Sequence, residues 1–255
     1  MKFAYAGFDL MAPALAALCE ENTLLKLFTC PVDGVSETND MVIDLAEDAR
    51  APYTLGRVTR RDIDALTDQG CELLISAGYY YRIPVDDRLK MVNIHPSLLP
   101  YGRGAWPMPR AILDCLPESG VTVHKTEEGF DTGDILLQER FMLAPDETLD
   151  TFMEKVNVFL PAMMRRLTAD LDTLWDNAIP QGEGVYLDEP DPADYILTPE
   201  SKAEYADRVL RAFSGFPVYY ERNGKRTVIR CGRAVTGDSR GDRCPLADGY
   251  IRIMG

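Results

Sequence analysis

Lys2-Phe3-Ala4-Tyr5-Ala6-Gly7, then Ala12 to Glu20 with alanine and leucine at helical spacing, then Leu24-Leu25-Lys26-Leu27-Phe28-Thr29 running up to Cys30-Pro31, is the stretch that sets the fold class. A short apolar run that stops at a glycine reads as a buried strand, and the segment after it carries helical periodicity. Strand, turn, helix and strand in that order is the start of a parallel pair, because parallel strands need a long crossover. The chain is therefore read as α/β, a mostly parallel sheet flanked by helices. Its first turn, Gly7-Phe8-Asp9, lacks GxGxxG, and the next acid after the second strand, Asp33, comes only past Pro31. Nicotinamide dinucleotide binding is accordingly a weak reading.

The alternation continues outward. Thr38 to Ala49 and Arg61 to Leu66 read as helices, and Cys71 to Ser76 as a strand that ends at Ala77-Gly78. Tyr79-Tyr80-Tyr81-Arg82-Ile83-Pro84 follows, beyond a strand end where open α/β sheets place their ligands. Met91-Val92 begins a short central strand leading into a loop at Asn93. Pro107 to Leu116 is a helix with proline in its first turn, Gly120 to Lys125 and Ile135 to Met142 are strands, and Asp131-Thr132-Gly133-Asp134 is a turn. Leu149 to Leu174 makes one long helix or a pair, with Pro161 as the expected break or kink. Proline, glycine and acid dominate 179–199, which reads as a linker. The expected organisation is a domain over 1–178, that linker, and a small β-rich C-terminal unit over 200–255 with a hairpin at Asn223-Gly224.

With 46% apolar residues the 255-residue chain has material for a normal core. A net charge of -14 argues against broad electrostatic binding of nucleic acid or of an anionic membrane. No apolar run approaches the roughly 20 residues that span a bilayer, and the N-terminus lacks signal-peptide anatomy. The six cysteines form no CxxC pair, and no histidine stands at metal-ligand spacing to them. Scattered thiols suit a reducing compartment, so a cytoplasmic protein without a metal is expected.

Chemistry concentrates between Met91 and Gln138. The chain's two histidines, His95 and His124, both lie there, the first inside Asn93-Ile94-His95-Pro96-Ser97-Leu98-Leu99-Pro100. An asparagine amide is a neutral donor suited to an oxyanion that appears only in the transition state. An imidazole donates to the same oxyanion or manages the proton of an attacking amine. A carboxylate such as Asp131 holds that imidazole protonated or takes a proton through water. Taken singly, each residue is more often structural; taken together, at the strand ends of one sheet, they describe acyl transfer without a protein nucleophile. There is no GxSxG elbow, and Cys115 has no identifiable partner.

The run from Asn93 to Pro100 with Arg103-Gly104, then Gly120-Val121-Thr122-Val123-His124 and Phe130-Asp131-Thr132-Gly133-Asp134-Ile135-Leu136, resembles the signature of the folate-dependent formyltransferases. The resemblance extends to Lys2 to Gly7 and to Arg211-Ala212-Phe213, as in the methionyl-tRNA branch and its sugar-modifying relatives. It implies a Rossmann-like catalytic domain that moves a formyl group from 10-formyltetrahydrofolate to a primary amine. Asn93 and His95 match the family residues that stabilise the oxyanion and handle the amine proton, and Asp131 matches the catalytic carboxylate. His124, Ser97 and Arg103 support them, and Asp134 is structural. The family holds its pterin largely through backbone groups, which carried over are Tyr81, Arg82, Ile83 and Pro84 with Glu127, Glu128 and Gly129.

Methionyl-tRNA formyltransferases have a longer C-terminal barrel and basic tRNA-binding surfaces. Here residues 200–255 are too few for a full barrel, and the chain is acidic. The preferred acceptor is a small-molecule amine, an amino sugar on a nucleotide being the leading candidate, and tRNA is less favoured. Trp106 is either a stacking surface for a nucleotide or sugar or a core residue. A hydrolase that releases formate from the folate is a further alternative, as is a binding module that has lost turnover. A homodimer is an assembly the sequence leaves open.

Overall fold

The computed structural model describes residues 1–32, 34, 37–187, 189–237 and 244–254; Asp33 lies outside them. In chain order the elements are β1 (Lys2–Gly7), α1 (Ala12–Glu21), β2 (Thr23–Thr29), α2 (Asp40–Asp48), β3 (Tyr53–Leu55), α3 (Arg60–Asp68), β4 (Leu73–Ala77) and β5 (Lys90–His95). There follow β6 (Tyr101–Arg103), α4 (Pro107–Leu113), β7 (Glu118–Lys125), β8 (Ile135–Met142), α5 (Leu149–Ala169), α6 (Leu171–Asp176) and β9 (Val185–Tyr186). The chain ends with β10 (Ile196–Leu197), α7 (Ala203–Ala212), β11 (Val218–Arg222), β12 (Lys225–Ile229), β13 (Gly232–Thr236) and β14 (Gly249–Ile253).

These elements group into two compact units, each assembled from separated stretches. The first comprises Met1–Arg103, Gly120–Arg140 and Lys155–Val185, and the second Gly104–Ser119, Phe141–Glu154 and Tyr186–Gly255.

The first unit is built on a sheet of order β3-β2-β1-β4-β5-β7-β8. The pairs from β3 to β5 are parallel and β5–β7 is antiparallel, so this is a mostly parallel, Rossmann-like α/β sheet. β1 is buried from Phe3 to Gly7, as expected of a strand covered on both faces. Helix α3 starts with a capping box between Thr59 and Asp62 and turns Ile63 and Leu66 into the core. There they join Ala4, Ala6, Phe28, Leu74 and Met91. Full burial of each larger side chain contributes about 1.5–3 kcal/mol.

Two expectations are corrected. Asn93 and His95 belong to β5 rather than to a loop, because Asn93, Ile94 and His95 pair with His124, Val123 and Thr122 of β7. The sheet partner extends the strand past the point where apolar content falls. Pro161 does not break α5, which runs unbroken from Leu149 to Ala169; the interruption comes at Asp170, before α6. Val156, Leu160, Met163, Met164 and Leu167 are buried along this helix, and their burial outweighs the hydrogen bond that proline cannot donate.

The second unit packs α7 and short strands around Leu197, Ala206, Val209, Phe213, Val218, Tyr220 and Ile251. Its β11–β12 hairpin turns at Asn223 and Gly224, with φ of 49° and 71°, the left-handed pair that a tight two-residue hairpin requires. Trp106 lies in this unit, half-buried against Phe216 and Phe213, and lines a cavity of about 290 Å³ with Tyr195 and Tyr219.

Candidate active site

Because side chains two apart on a strand share a face, Asn93 and His95 project together from β5. The antiparallel register sets His124 of β7 directly opposite Asn93. The turn after β7 brings in Asp131, whose Oδ1 lies 3.3 Å from Asn93 Nδ2, 3.6 Å from His95 Nδ1 and 3.5 Å from His124 Nε2. Three nitrogens from two adjacent strands thus converge on one carboxylate oxygen. The cluster is buried: the side chains of His95, His124 and Asp131 are 6%, 3% and 12% exposed.

Hydrogen bonds set the protons. His95 Nε2 lies 2.7 Å from the Gly102 carbonyl and must donate to it, which leaves Nδ1 as the basic nitrogen facing Asp131. His124 is the reverse: Nδ1 donates to the Lys125 carbonyl at 2.8 Å, so Nε2 accepts from the Asn93 amide at 3.2 Å. This network also fixes the Asn93 amide with its nitrogen toward the two acceptors. Burial holds the His95 pKa below the ordinary imidazole value; Asp131 and the Gly102 carbonyl act upward against it, and His124 adds a smaller downward push. A neutral imidazole beside a carboxylate is poised to take one proton and be stabilised once it has it.

Ser97 and Arg103 are built into the surroundings. Ser97 Oγ donates to the Tyr101 carbonyl at 3.0 Å and closes the turn after β5. Thr122 Oγ1 donates to the Ser97 carbonyl at 2.7 Å, and Gln138 Nε2 donates to the Leu99 carbonyl and to Thr122. Arg103 is buried and donates to the side-chain oxygen of Gln181 and to the Gly182 carbonyl. Gln181 in turn donates through Nε2 to the carbonyls of Asp131 and Gly133. Lys125 and Asp134 form an ion pair of 3.3 Å across the same turn.

The two stretches expected to hold a pterin meet each other. Arg82 donates to the Glu128 carbonyl and pairs with the Glu128 carboxylate at 3.0 Å. The same guanidinium lies over the exposed Phe130 ring. Neither stretch joins a strand, so both run as coil beside the sheet. Ile83 differs from its neighbours in facing inward, against the core around Val58 and Leu89. Of the neighbouring tyrosines, Tyr79 is tied to the Gly56 carbonyl and Tyr81 carries the Arg57 guanidinium over its ring.

Sequence reading missed Gln181, Thr122, Gln138 and the carbonyl of Gly102. Gln181 sits among glycine, proline and acid, where composition says linker. The one available signal was Arg103, since a buried guanidinium requires acceptors that the sequence does not locate. Among the described residues, no three histidine, cysteine, aspartate or glutamate side chains gather as a metal site.

A family model described as formyl transferase matches residues 34–167. Among curated proteins, the methionyl-tRNA formyltransferase of Parvibaculum lavamentivorans is 31% identical over 271 residues, covering 100% of this chain and 87% of that protein. The corresponding protein of Ehrlichia ruminantium is 28% identical, with 78% of this chain matched to 63% of its own length. Among solved structures, a sugar N-formyltransferase from Shewanella superposes with a TM-score of 0.70 at 21% identity, over 93% of this chain and 99% of that one. A further structure, WlaRD, described as a sugar 3N-formyl transferase in the presence of dTDP and 5-N-formyl-THF, gives a TM-score of 0.64 at 18% identity, over 100% of this chain and 94% of that one. These two structural likenesses speak to the fold.

Proposed function

We propose that this chain, which belongs to the folate-dependent formyltransferase family, moves a formyl group from 10-formyltetrahydrofolate to a primary amine of a small metabolite, a nucleotide-linked amino sugar being the leading acceptor. The observation that carries the reading is the convergence of Asn93, His95 and His124 on Asp131 in a buried polar cluster. That cluster holds a donor amide, a neutral imidazole and a carboxylate, which is what acyl transfer between two nitrogens requires.

Formyl transfer joins the acceptor nitrogen to the formyl carbon, breaks the bond from that carbon to the donor nitrogen, and moves one proton from the first nitrogen to the second. The folate supplies the activated formyl group. Asn93 Nδ2 donates to the negative charge that develops on the formyl oxygen. His95 takes the amine proton on Nδ1 while the Gly102 carbonyl holds Nε2, and it returns the proton to the departing nitrogen. Asp131, 3.6 Å away, stabilises the imidazolium in the interval. His124 orients the Asn93 amide. Tyr81 to Pro84 and Glu127 to Gly129, two coil segments bridged by Arg82 and Glu128, are the residues that would hold the pterin in this reading. In this reading residues 1–178 carry the reacting groups, 179–199 connect the two parts while Gln181 braces the turn of Asp131, and 200–255 form an accessory unit.

Support for a small acceptor comes from the net charge of -14 and from the near-complete span of the Shewanella sugar enzyme's structure. The names of the curated relatives support methionyl-tRNA as the second reading. The six cysteines are free thiols, and among the described residues no helix is long and apolar enough to cross a membrane; both suit the cytoplasmic setting we propose. The test is absorbance-monitored turnover of 10-formyltetrahydrofolate with no acceptor, then with nucleotide-linked amino sugars, glycinamide ribonucleotide and methionyl-tRNA. Turnover that requires an amino sugar is expected. Turnover with methionyl-tRNA alone transfers the assignment to the second reading, equal turnover without amine makes the protein a deformylase, and absence of both turnover and folate binding removes the proposal.

A further inference from the structure

We infer that Gln181, oriented by Arg103, is a positioning residue that fixes the backbone of Asp131; the inference rests on the reading of Asp131 as the catalytic carboxylate. Asp131 has φ of 54°, in the left-handed region that side-chain-bearing residues seldom occupy. Aspartate tolerates this conformation better than most side-chain-bearing residues, and contacts from outside the turn hold it there. Gln181 imposes it from outside the turn, through Nε2 contacts of 3.0 Å to the Asp131 carbonyl and 2.5 Å to the Gly133 carbonyl.

The orientation of that amide is not free to invert. Arg103 has only donors, and its Nε and Nη2 lie 3.2 and 2.9 Å from Gln181 Oε1, so the oxygen faces Arg103 and the nitrogen faces the turn. Arg103 is itself held, with Nη2 on the Gly182 carbonyl at 3.1 Å. A Cβ on Gly184 would stand 2.4 Å from the Arg103 Cζ, so only glycine there lets the chain lie so close to the guanidinium. Reciprocal hydrogen bonds of 2.8 and 2.9 Å between Ile135 and Ile179 set the register of this strip against the turn. The stretch whose composition reads as linker is thus stapled along the residues that carry Asp131. The chain Arg103–Gln181–Asp131 lies wholly within the first unit.

Gln181→Glu is the discriminating substitution. It keeps an acceptor for Arg103 and sets a carboxylate against two carbonyls, so the anchor survives and the clamp is lost. The expected result is a fall in kcat of about 10- to 100-fold with KM for folate and amine unchanged, the size of a small misplacement of a reacting group. In an Asp131→Asn background the same change should lower kcat by less than about twofold, since Gln181 acts through Asp131. A fall that multiplies fully with Asp131→Asn, or a wild-type kcat in Gln181→Glu, overturns the inference. Gln181→Met, near-isosteric and without donors, replaces Gln181→Glu if that variant does not fold.

A second arm does not depend on turnover. With two histidines in the chain, the His95 and His124 imidazole signals can be followed by NMR. Loss of the clamp should move the His95 signals in the direction that Asp131→Asn moves them; unmoved signals in Gln181→Glu overturn the inference even if the wild-type protein proves to transfer no formyl group. Absence of formyl transfer with responsive histidine signals sinks the proposed function alone.

Discussion

Asn93 and His124 stand opposite each other across β5 and β7, with Asn93 Nδ2 3.2 Å from His124 Nε2, while His95 and His124 hold their protons on opposite ring nitrogens. The expected NMR signature is therefore a proton on Nε2 of His95 and on Nδ1 of His124. Two identical tautomers would refute the assignment. Replacing His124 by phenylalanine removes the acceptor that aims the Asn93 amide, and kcat should fall by about 10- to 100-fold, as when a hydrogen-bonded orienting partner is lost. An unaltered rate would take His124 out of the site.

Asn93→Ala deletes the donor, and loss of one such donor to a developing oxyanion typically lowers kcat by about a hundred- to a thousand-fold. Asn93→Asp should be worse than Asn93→Ala, because it adds a carboxylate beside Asp131 where a donor stood, 3.3 Å away. Steady-state rates of the two variants, with circular dichroism to verify folding, decide this; an aspartate variant more active than the alanine one contradicts the donor role.

Asp131→Asn and Asp131→Ala separate charge from backbone. Asparagine tolerates the left-handed conformation about as well as aspartate, whereas alanine does not. Both should lose most turnover, but the alanine variant should also melt lower, by about 1–2 kcal/mol relative to the asparagine variant. Equal melting curves would mean the φ of Asp131 carries no cost.

Gly133→Ala tests the turn from its other end. A Cβ there would lie 2.0 Å from the Lys125 carbonyl, a backbone atom that cannot swing away, so the turn must lift off β7 and take Asp131 with it. Turnover should drop at least tenfold without any change to a reacting side chain. Wild-type activity would show that the position of Asp131 tolerates the shift.

The fold class and the polar cluster were legible because each rests on local or short-range signals. The strand–helix–strand opening is written in Lys2 to Thr29, and proline in the first turn of α4 marks its start. The extension of β5 through His95 was not legible, since Asn93 reads as loop until Thr122 to His124 pair with it. Pro161 misled for the same reason: the burial of Leu160 and Met164 is a tertiary fact. Gln181 was the furthest from view. Its partners Arg103 and Asp131 lie far away along the chain, and nothing in Gln181-Gly182-Glu183-Gly184 announces a buried guanidinium.

His95 gives the protein a pH dependence of definite sign. Burial is the largest influence and lowers its pKa from the ordinary imidazole value; Asp131 and the Gly102 carbonyl act in opposition, and His124 adds a smaller push the same way as burial. As the base, His95 works when neutral, so the acid limb of kcat should lie on the acid side of the ordinary imidazole range. Removing the opposing carboxylate in Asp131→Asn should move the limb of the residual activity further toward acid. Stability follows the same sign. The unfolded chain binds a proton to this histidine near its ordinary pKa while the folded protein still excludes it, so the contribution is fully present above the unfolded value. It is lost progressively as pH falls through the folded value. NMR titration of His95 beside a pH–rate profile checks both: an acid limb above the ordinary imidazole range, or one that moves toward neutrality in Asp131→Asn, would exclude a neutral His95 as the base.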